Sequence, residues 1–249
     1  MSQQILGEQI LITGASGLLG QAICKTLDRR SIHYIKTSRR KNDISEKTIY
    51  MDLSSGEGIR EAIKGKTVIL HLASDKGHPD NDVDGTRLML NHIIQDGLNP
   101  HFIFISVVGT NLIAMPYFKQ KYRTEQLIIK SGIPFSILRA TQFYEYIDQV
   151  LWQLLKFPIG LIPKKILVQP IDKDLVAEEL VRMIFRNPTK GIAEIGGKGI
   201  VTFDEMAKRW VAKYRKQRII WNIPLWGRLG RNLLGGALTT KYEEQNYFE

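Results

Sequence analysis

Gln9-Ile10-Leu11-Ile12-Thr13-Gly14-Ala15-Ser16-Gly17-Leu18-Leu19-Gly20 decides the reading of this chain. The apolar run Gln9–Ile12 reads as a strand, and Leu18–Arg30 reads as an amphipathic helix. Between them glycines recur at every third residue. Glycine lets the backbone turn sharply and come close to a neighbour. The unpaired N–H groups of the helix start then face an anion, and a pyrophosphate is what strand–glycine loop–helix units hold. The expected contacts are Gly14, Ser16, Gly17, Leu18, Leu19 and Gly20.

The alternation continues downstream. Strand candidates are His33–Thr37, Thr48–Met51, Thr67–Leu72, Phe102–Val107 and Phe135–Arg139, with helices over Gly58–Lys64, Asp84–Asp96 and Tyr117–Ser131. Runs such as Phe102-Ile103-Phe104-Ile105 lack the polar alternation of a half-exposed strand. They suit a parallel sheet covered on both faces by helices. The expected class is α/β, a doubly wound parallel sheet of the Rossmann kind over residues 1–142. From Phe143 the pattern changes. A helix over Phe143–Phe157, a strand over Lys165–Pro170, a helix from Asp172 to Arg186 and a Thr-x-x-Glu capping box at Thr202 point to a small C-terminal, substrate-side subdomain over 143–249.

Composition narrows the setting. The chain has 249 residues, 43% of them hydrophobic, which is enough to bury a sizeable core. Its apolar runs are too short and too interrupted for a transmembrane segment. One cysteine, Cys24, excludes an internal disulfide framework. Met1–Gly7 lacks the basic region and apolar core of a signal peptide, so a cytoplasmic location is expected. The net charge of +10 is spread along the chain without a nucleic-acid motif, and no nucleic-acid partner is expected. No metal site is expected, and nothing in the pattern fixes an oligomeric state.

The second strand ends in Thr37-Ser38-Arg39-Arg40-Lys41. A dinucleotide fold meets the adenosine ribose there, and NAD-binding versions place an Asp or Glu at this point. Hydroxyls and cations suit a 2′-phosphate instead. Ser38, Arg39 and Arg40 therefore point to NADP (NADPH). Asp52 and Leu53, after the third strand, are positioned for the adenine, with a helix cap as the other reading of Asp52. Ala73 and Ser74 end the fourth strand on the adenosine side. His71 reads as a packed strand residue.

Together, Gly14-x-x-Gly17-x-x-Gly20, Ser38-Arg39-Arg40, Asp52-Leu53 and His71-Leu72-Ala73 resemble the extended and atypical short-chain dehydrogenase/reductases. Ser106-Val107-Val108-Gly109, Tyr117-Phe118-Lys119-Gln120-Lys121 with Glu125, Ser131–Phe143, Gln169-Pro170-Ile171-Asp172 and Ile195-Gly196-Gly197 are similar to their NmrA-like, NAD(P)H-binding branch. The resemblance implies a Tyr-x-x-x-Lys pair, Tyr117 and Lys121, with Ser106 beside it. In the wider superfamily the Lys binds the nicotinamide ribose and lowers the Tyr pKa, and the Tyr passes a proton to a carbonyl. In the NmrA-like branch the Lys is usual, while the Tyr and Ser are often not catalytic. It also implies that Ala140, Thr141 and Phe143 line the nicotinamide end. Two functions follow from it: reduction of a small carbonyl or quinone-like acceptor by NADPH, or NADP binding by a regulator without chemistry. A sugar-nucleotide epimerase shares the fold, but the C-terminal region is short for a nucleotide-sugar domain.

Lys208–Arg231 carries eight Lys/Arg and three Trp and no acidic residue. Such mixtures occur at membrane surfaces and on nucleic acid. Met206, Trp210 and Tyr214 recur at i, i+4, i+8, and the reading favoured by this spacing is a subdomain whose aromatics pack and whose charges are solvated. Phe143, Tyr146 and Trp152 sit at helical spacing, and Trp152 is expected in the core.

Overall fold

The computed structural model describes residues 10–74, 78–214 and 217–241. In chain order the elements are β1 (Ile10–Thr13), α1 (Leu18–Arg29), β2 (Ile35–Ser38), β3 (Thr48–Tyr50), α2 (Ile59–Ile63), β4 (Val68–His71), α3 (Pro79–Gln95), β5 (His101–Val107), α4 (Pro116–Lys130) and β6 (Phe135–Ala140). Then follow α5 (Tyr144–Leu154), β7 (Ile159–Pro163), β8 (Leu167–Val168), α6 (Lys173–Ile184), β9 (Ile192–Ile195), β10 (Val201–Thr202), α7 (Phe203–Lys213), β11 (Ile219–Ile223) and α8 (Gly227–Leu234). The main sheet runs β3-β2-β1-β4-β5-β6-β9. β1 pairs in parallel with both β2 and β4, so the strand order reverses there. That reversal is where ligands of doubly wound sheets bind.

Every residue of β1, β4 and β6 is buried, the polar Thr13, His71, Ser136 and Arg139 among them. α1 and α6 pack together on the sheet, as do α3 with α4 and α2 with α3. Leu11, Ile69, Phe102, Phe104 and Ile137 meet Ile59, Ile63, Met89, Ile93 and Ile128 in one apolar cluster. At roughly 25 cal/mol per Å² of apolar surface removed from water, such burial is the main driving force for folding.

The chain forms two compact units. The first holds the residues up to Ser106, Pro116–Leu138 and Lys173–Ala193; the second holds Val107–Met115, Arg139–Asp172 and the residues from Glu194 on. In the second, β7 and β11 pair in parallel and β10 pairs with β8 antiparallel. α5 and α7 pack against β7. α7 opens with the expected capping box, Thr202 Oγ accepting from the Glu205 N–H and the Glu205 carboxylate from the Thr202 N–H.

Two expectations for the C-terminal part need correction. Trp210 does pack, ring to ring with Trp152 at 5.0 Å and Tyr214 at 4.8 Å. Trp221 and Trp226, however, stand out in solvent. Trp152 is 43% exposed, because the core side of α5 is formed by Ile147 and Leu151 instead.

Thr202→Ala removes half of the capping box. It is expected to cost about 1 kcal/mol, a drop of roughly 2–4 °C in Tm by thermal denaturation for a chain of this size.

Candidate functional site

The glycine loop in the first unit leaves no room for side chains. Gly14 has φ +70°, and a Cβ there would lie 2.6 Å from the Ala73 nitrogen; one on Gly20 would lie 2.3 Å from the Gly14 carbonyl oxygen. The Gly17 N–H donates to that carbonyl at 3.0 Å and closes the turn. Gly17 is the N-cap of α1, with no side-chain cap and no acidic residue in the first turn. The first N–H groups of α1 are thus left for an external acceptor, while Ser16, Gly17 and Leu18 are exposed. Ala73 is half-buried and Ser74 exposed beside this turn.

Thr13, which the sequence did not flag, ties the loop to β4. Its hydroxyl accepts from the Leu72 N–H at 3.1 Å and the Ala73 N–H at 3.2 Å. Thr86 donates to the Asp82 carbonyl at 2.7 Å, so it must accept from Nε2 of His71 at 2.9 Å. Nδ1 of His71 then accepts from Thr13 at 2.8 Å. His71 is thereby fixed as a neutral ring in one tautomer, a packed residue as expected. Burial first, and the Lys121 charge second, push its pKa down to about 3.

At the end of β2, Ser38 donates to the Asp43 carboxylate at 2.7 Å and accepts from the Arg40 N–H at 3.1 Å. Arg39 and Arg40 are exposed, and among the described residues neither guanidinium forms an ion pair. Lys41 differs, pairing with Glu57 at 3.3 Å and lying 5.0 Å from the centre of the Tyr50 ring. Asp52 does not cap a helix. α2 is capped by Gly58, while the Asp52 carboxylate accepts from the Ser54 N–H and hydroxyl at 2.9 and 2.7 Å. Partial burial pushes the Asp52 pKa up, but these bonds and the Arg39 charge outweigh it and leave it below the ordinary value. Leu53 is half-buried against the apolar cluster.

α4 turns a polar stripe inward: Gln120, Lys121, Thr124 and Glu125 are all buried. Lys121 is 4% exposed, donates to the Ile105 carbonyl at 3.2 Å and lies 4.8 Å from the Phe104 ring centre and 6.0 Å from that of Tyr117. Tyr117, next to Pro116 in the first turn of α4, is half-buried with its ring edge to Phe118. The spacing of four thus brings Tyr117 and Lys121 onto one face. Ser106 is brought to a different partner, donating to Glu125 at 2.5 Å. Gln120 donates to the buried carboxylate of Asp82.

Ala140, Thr141 and Phe143 belong to the second unit. Ala140 and Thr141 are buried, and the Thr141 hydroxyl has no hydrogen-bond partner among the described residues. Phe143 is the half-buried N-cap of α5 and bridges to Ile171. Two glutamines hold this corner. Gln142 Oε1 accepts from the Gln169 N–H at 3.1 Å, and its amide donates to the Leu238 carbonyl at 2.8 Å. Gln169 donates to the Gly197 carbonyl at 2.9 Å and accepts from the Thr240 N–H at 2.8 Å. The tie to residues 238–240 is invisible in sequence, since nothing in a glutamine announces its partner.

The residues fit a phosphate-bearing dinucleotide: a side-chain-free cradle, an uncapped helix start without acids, and exposed cations after β2. Residues 10–98 match the NAD dependent epimerase/dehydratase family. The photosystem II assembly factor Ycf39 of Trieres chinensis is 26% identical over 211 residues, 78% of this chain and 65% of that protein. The uncharacterized mycobacterial proteins that also match are far longer, the chain spanning 23% of their length. A nucleoside-diphosphate-sugar epimerase of Staphylococcus aureus superposes with a TM-score of 0.75 at 17% identity, over 94% of this chain and 92% of that one. An NADPH-dependent quinone oxidoreductase of Escherichia coli gives 0.70 at 17% identity, over 86% and 78%. These likenesses are of fold, a doubly wound, Rossmann-like parallel sheet, as the glycine loop and the strand–helix alternation imply.

Gly14→Val forces a Cβ into the Ala73 backbone from a positive φ, and is expected to abolish dinucleotide binding by calorimetry. His71 makes stability depend on acid. Its folded pKa lies below the unfolded value of about 6.5, so below that pH the unfolded chain takes up a proton that the folded one refuses. Stability is flat above about pH 6.5 and falls from there towards pH 3, by about 2 kcal/mol at pH 5 from this one ring. Urea melts between pH 7 and 5 measure it, and His71→Gln removes that part of the slope.

Proposed function

We propose that this chain is an NADP-dependent oxidoreductase of the NmrA-like kind, reducing a small carbonyl or quinone-like acceptor. The observation that carries the reading is Lys121, a cation 4% exposed and 6.0 Å from the Tyr117 ring centre. It is held there by the Ile105 carbonyl and the face of the Phe104 ring, on the same side of α4 as the Tyr117 phenol.

The roles follow from the chemistry of each group. The uncapped N–H groups of α1 and the glycine loop hold the pyrophosphate. Arg39 and Arg40 grip the 2′-phosphate through charge-assisted hydrogen bonds, with Ser38 turning its hydroxyl from Asp43. Asp52 and Leu53 meet the adenine, and Ala73 and Ser74 let the adenosine lie close. Lys121 binds the nicotinamide ribose. Ala140, Thr141 and Phe143 flank the nicotinamide, so that residues 1–142 carry the dinucleotide and 143–249 the acceptor side. The reduced dinucleotide supplies a hydride to the acceptor. Tyr117 delivers the accompanying proton to the acceptor oxygen, giving an alcohol from a carbonyl, and solvent returns the proton to the phenol. Ser106 holds Glu125, which leaves Tyr117 as the proton donor.

That narrow acid–base set also supports a second reading, an NADP-binding redox sensor without turnover. NADPH oxidation against a panel of carbonyls and quinones separates the two. Turnover of a carbonyl that falls roughly 100-fold or more in Tyr117→Phe, with a raised KM for NADPH in Lys121→Ala, supports the enzyme. Tight NADPH binding with no turnover on any acceptor supports the sensor. Arg39→Ala with Arg40→Ala is expected to weaken NADPH about tenfold or more, roughly 1.4 kcal/mol, and NADH hardly at all. Equal loss for both contradicts the 2′-phosphate assignment.

A further inference from the structure

We propose that the β7–β11 ribbon and the start of α8 form a docking face for an anionic lipid surface, independently of how the dinucleotide is used. Ile159 and Leu161 of β7 are exposed, while Gly160 and Ile162 between and after them are buried. The parallel register sets Ile219 beside Ile159 and Trp221 beside Leu161. Paired residues point to the same side of a sheet, so four large apolar side chains share one outer face. Ile219 is 65% and Trp221 64% exposed. Phe157 precedes the ribbon and is exposed, and Trp226, just after it at the start of α8, is 81% exposed. The inner side rests on α5 and α7, so the fold needs nothing on the outer one.

Charge selects the occupant. The ribbon strands with the residues flanking them, 156–165 and 217–231, hold three Lys and three Arg respectively and no Asp or Glu. Arg218 is fixed against the Leu155 carbonyl at 3.1 Å, and Lys208 reaches Asp204 only at 4.0 Å. A second copy of the chain would bring two such basic faces together, which repulsion opposes. Nucleic acid would take the charges but has no use for Ile159, Leu161 and Ile219. Anionic headgroups attract the cations, while aliphatic side chains enter the acyl boundary and tryptophans sit at the headgroup level. No helix among the described residues is long and apolar enough to cross a membrane, so the association is peripheral.

The test is sedimentation of the full chain with phosphatidylcholine vesicles, with and without about 30% phosphatidylglycerol, at about 0.1 M salt. The expected result is binding at least roughly tenfold tighter to the anionic vesicles, lost near 0.5 M salt where screening is short-ranged. Ile219→Asp with Trp221→Asp is expected to lower it roughly tenfold or more, with Tm little changed because both side chains are exposed. Should that variant fail to fold, Trp226→Ser, outside any strand, is expected to weaken binding several-fold. Equal binding to both vesicle types, or full binding by a folded variant, overturns the proposal. So does a dimer that the variant dissociates, or RNA retained in place of lipid.

Discussion

The fold turns on one close approach of two backbones. The end of β1 passes so near the end of β4 that a single carbon on Gly14 would lie 2.6 Å from the Ala73 nitrogen. Thr13 holds that approach by accepting both the Leu72 and the Ala73 N–H. Because β1 and β4 are the strands between which the sheet order reverses, the same contact sets where α1 begins and where its free N–H groups point. A side chain at Gly14 would part the strands and close the anion site together.

Behind this contact lies a polar column inside an apolar sheet. Thr13, His71 and Thr86 satisfy each other with one proton arrangement, ending on the Asp82 carbonyl. Lys121 adds its charge close enough to help hold His71 neutral. Buried polar groups are costly unless every one is paired, and this column is paired at each step from Thr13 to Asp82. It gives the mouth of the loop a rigid floor and links α3 to β1 and β4.

Much of this was readable from residue pattern. Near-continuous apolar runs such as Val68–Leu70 and Phe102–Ile105 located β4 and β5, because a strand buried on both faces carries few polar positions. The glycine spacing located the loop, and Thr202-x-x-Glu205 located the start of α7. Other parts were opaque for definite reasons. α3 begins at Pro79, five residues before the expected Asp84, because Asp80-Asn81-Asp82 looks like a loop although acids and a proline suit a first turn. β11 hides in a basic, aromatic stretch, and β7 beside Pro158 and Gly160; each is made a strand by the other. Ser106 was singled out by the family resemblance, but only the structure reveals Glu125 as a partner of its hydroxyl. Likewise, i, i+4, i+8 spacing placed Trp210 correctly and could say nothing of Trp221 and Trp226, which lie outside that helix.

On the reading proposed above, the glycine loop and the cations after β2 hold a 2′-phosphorylated dinucleotide. Isothermal titration of the wild-type chain with NADPH and with NADH tests it most directly. The expected result is one NADPH bound per chain, at least roughly tenfold more tightly than NADH, a difference of about 1.4 kcal/mol or more. Binding of neither dinucleotide, or a preference for NADH, would contradict it.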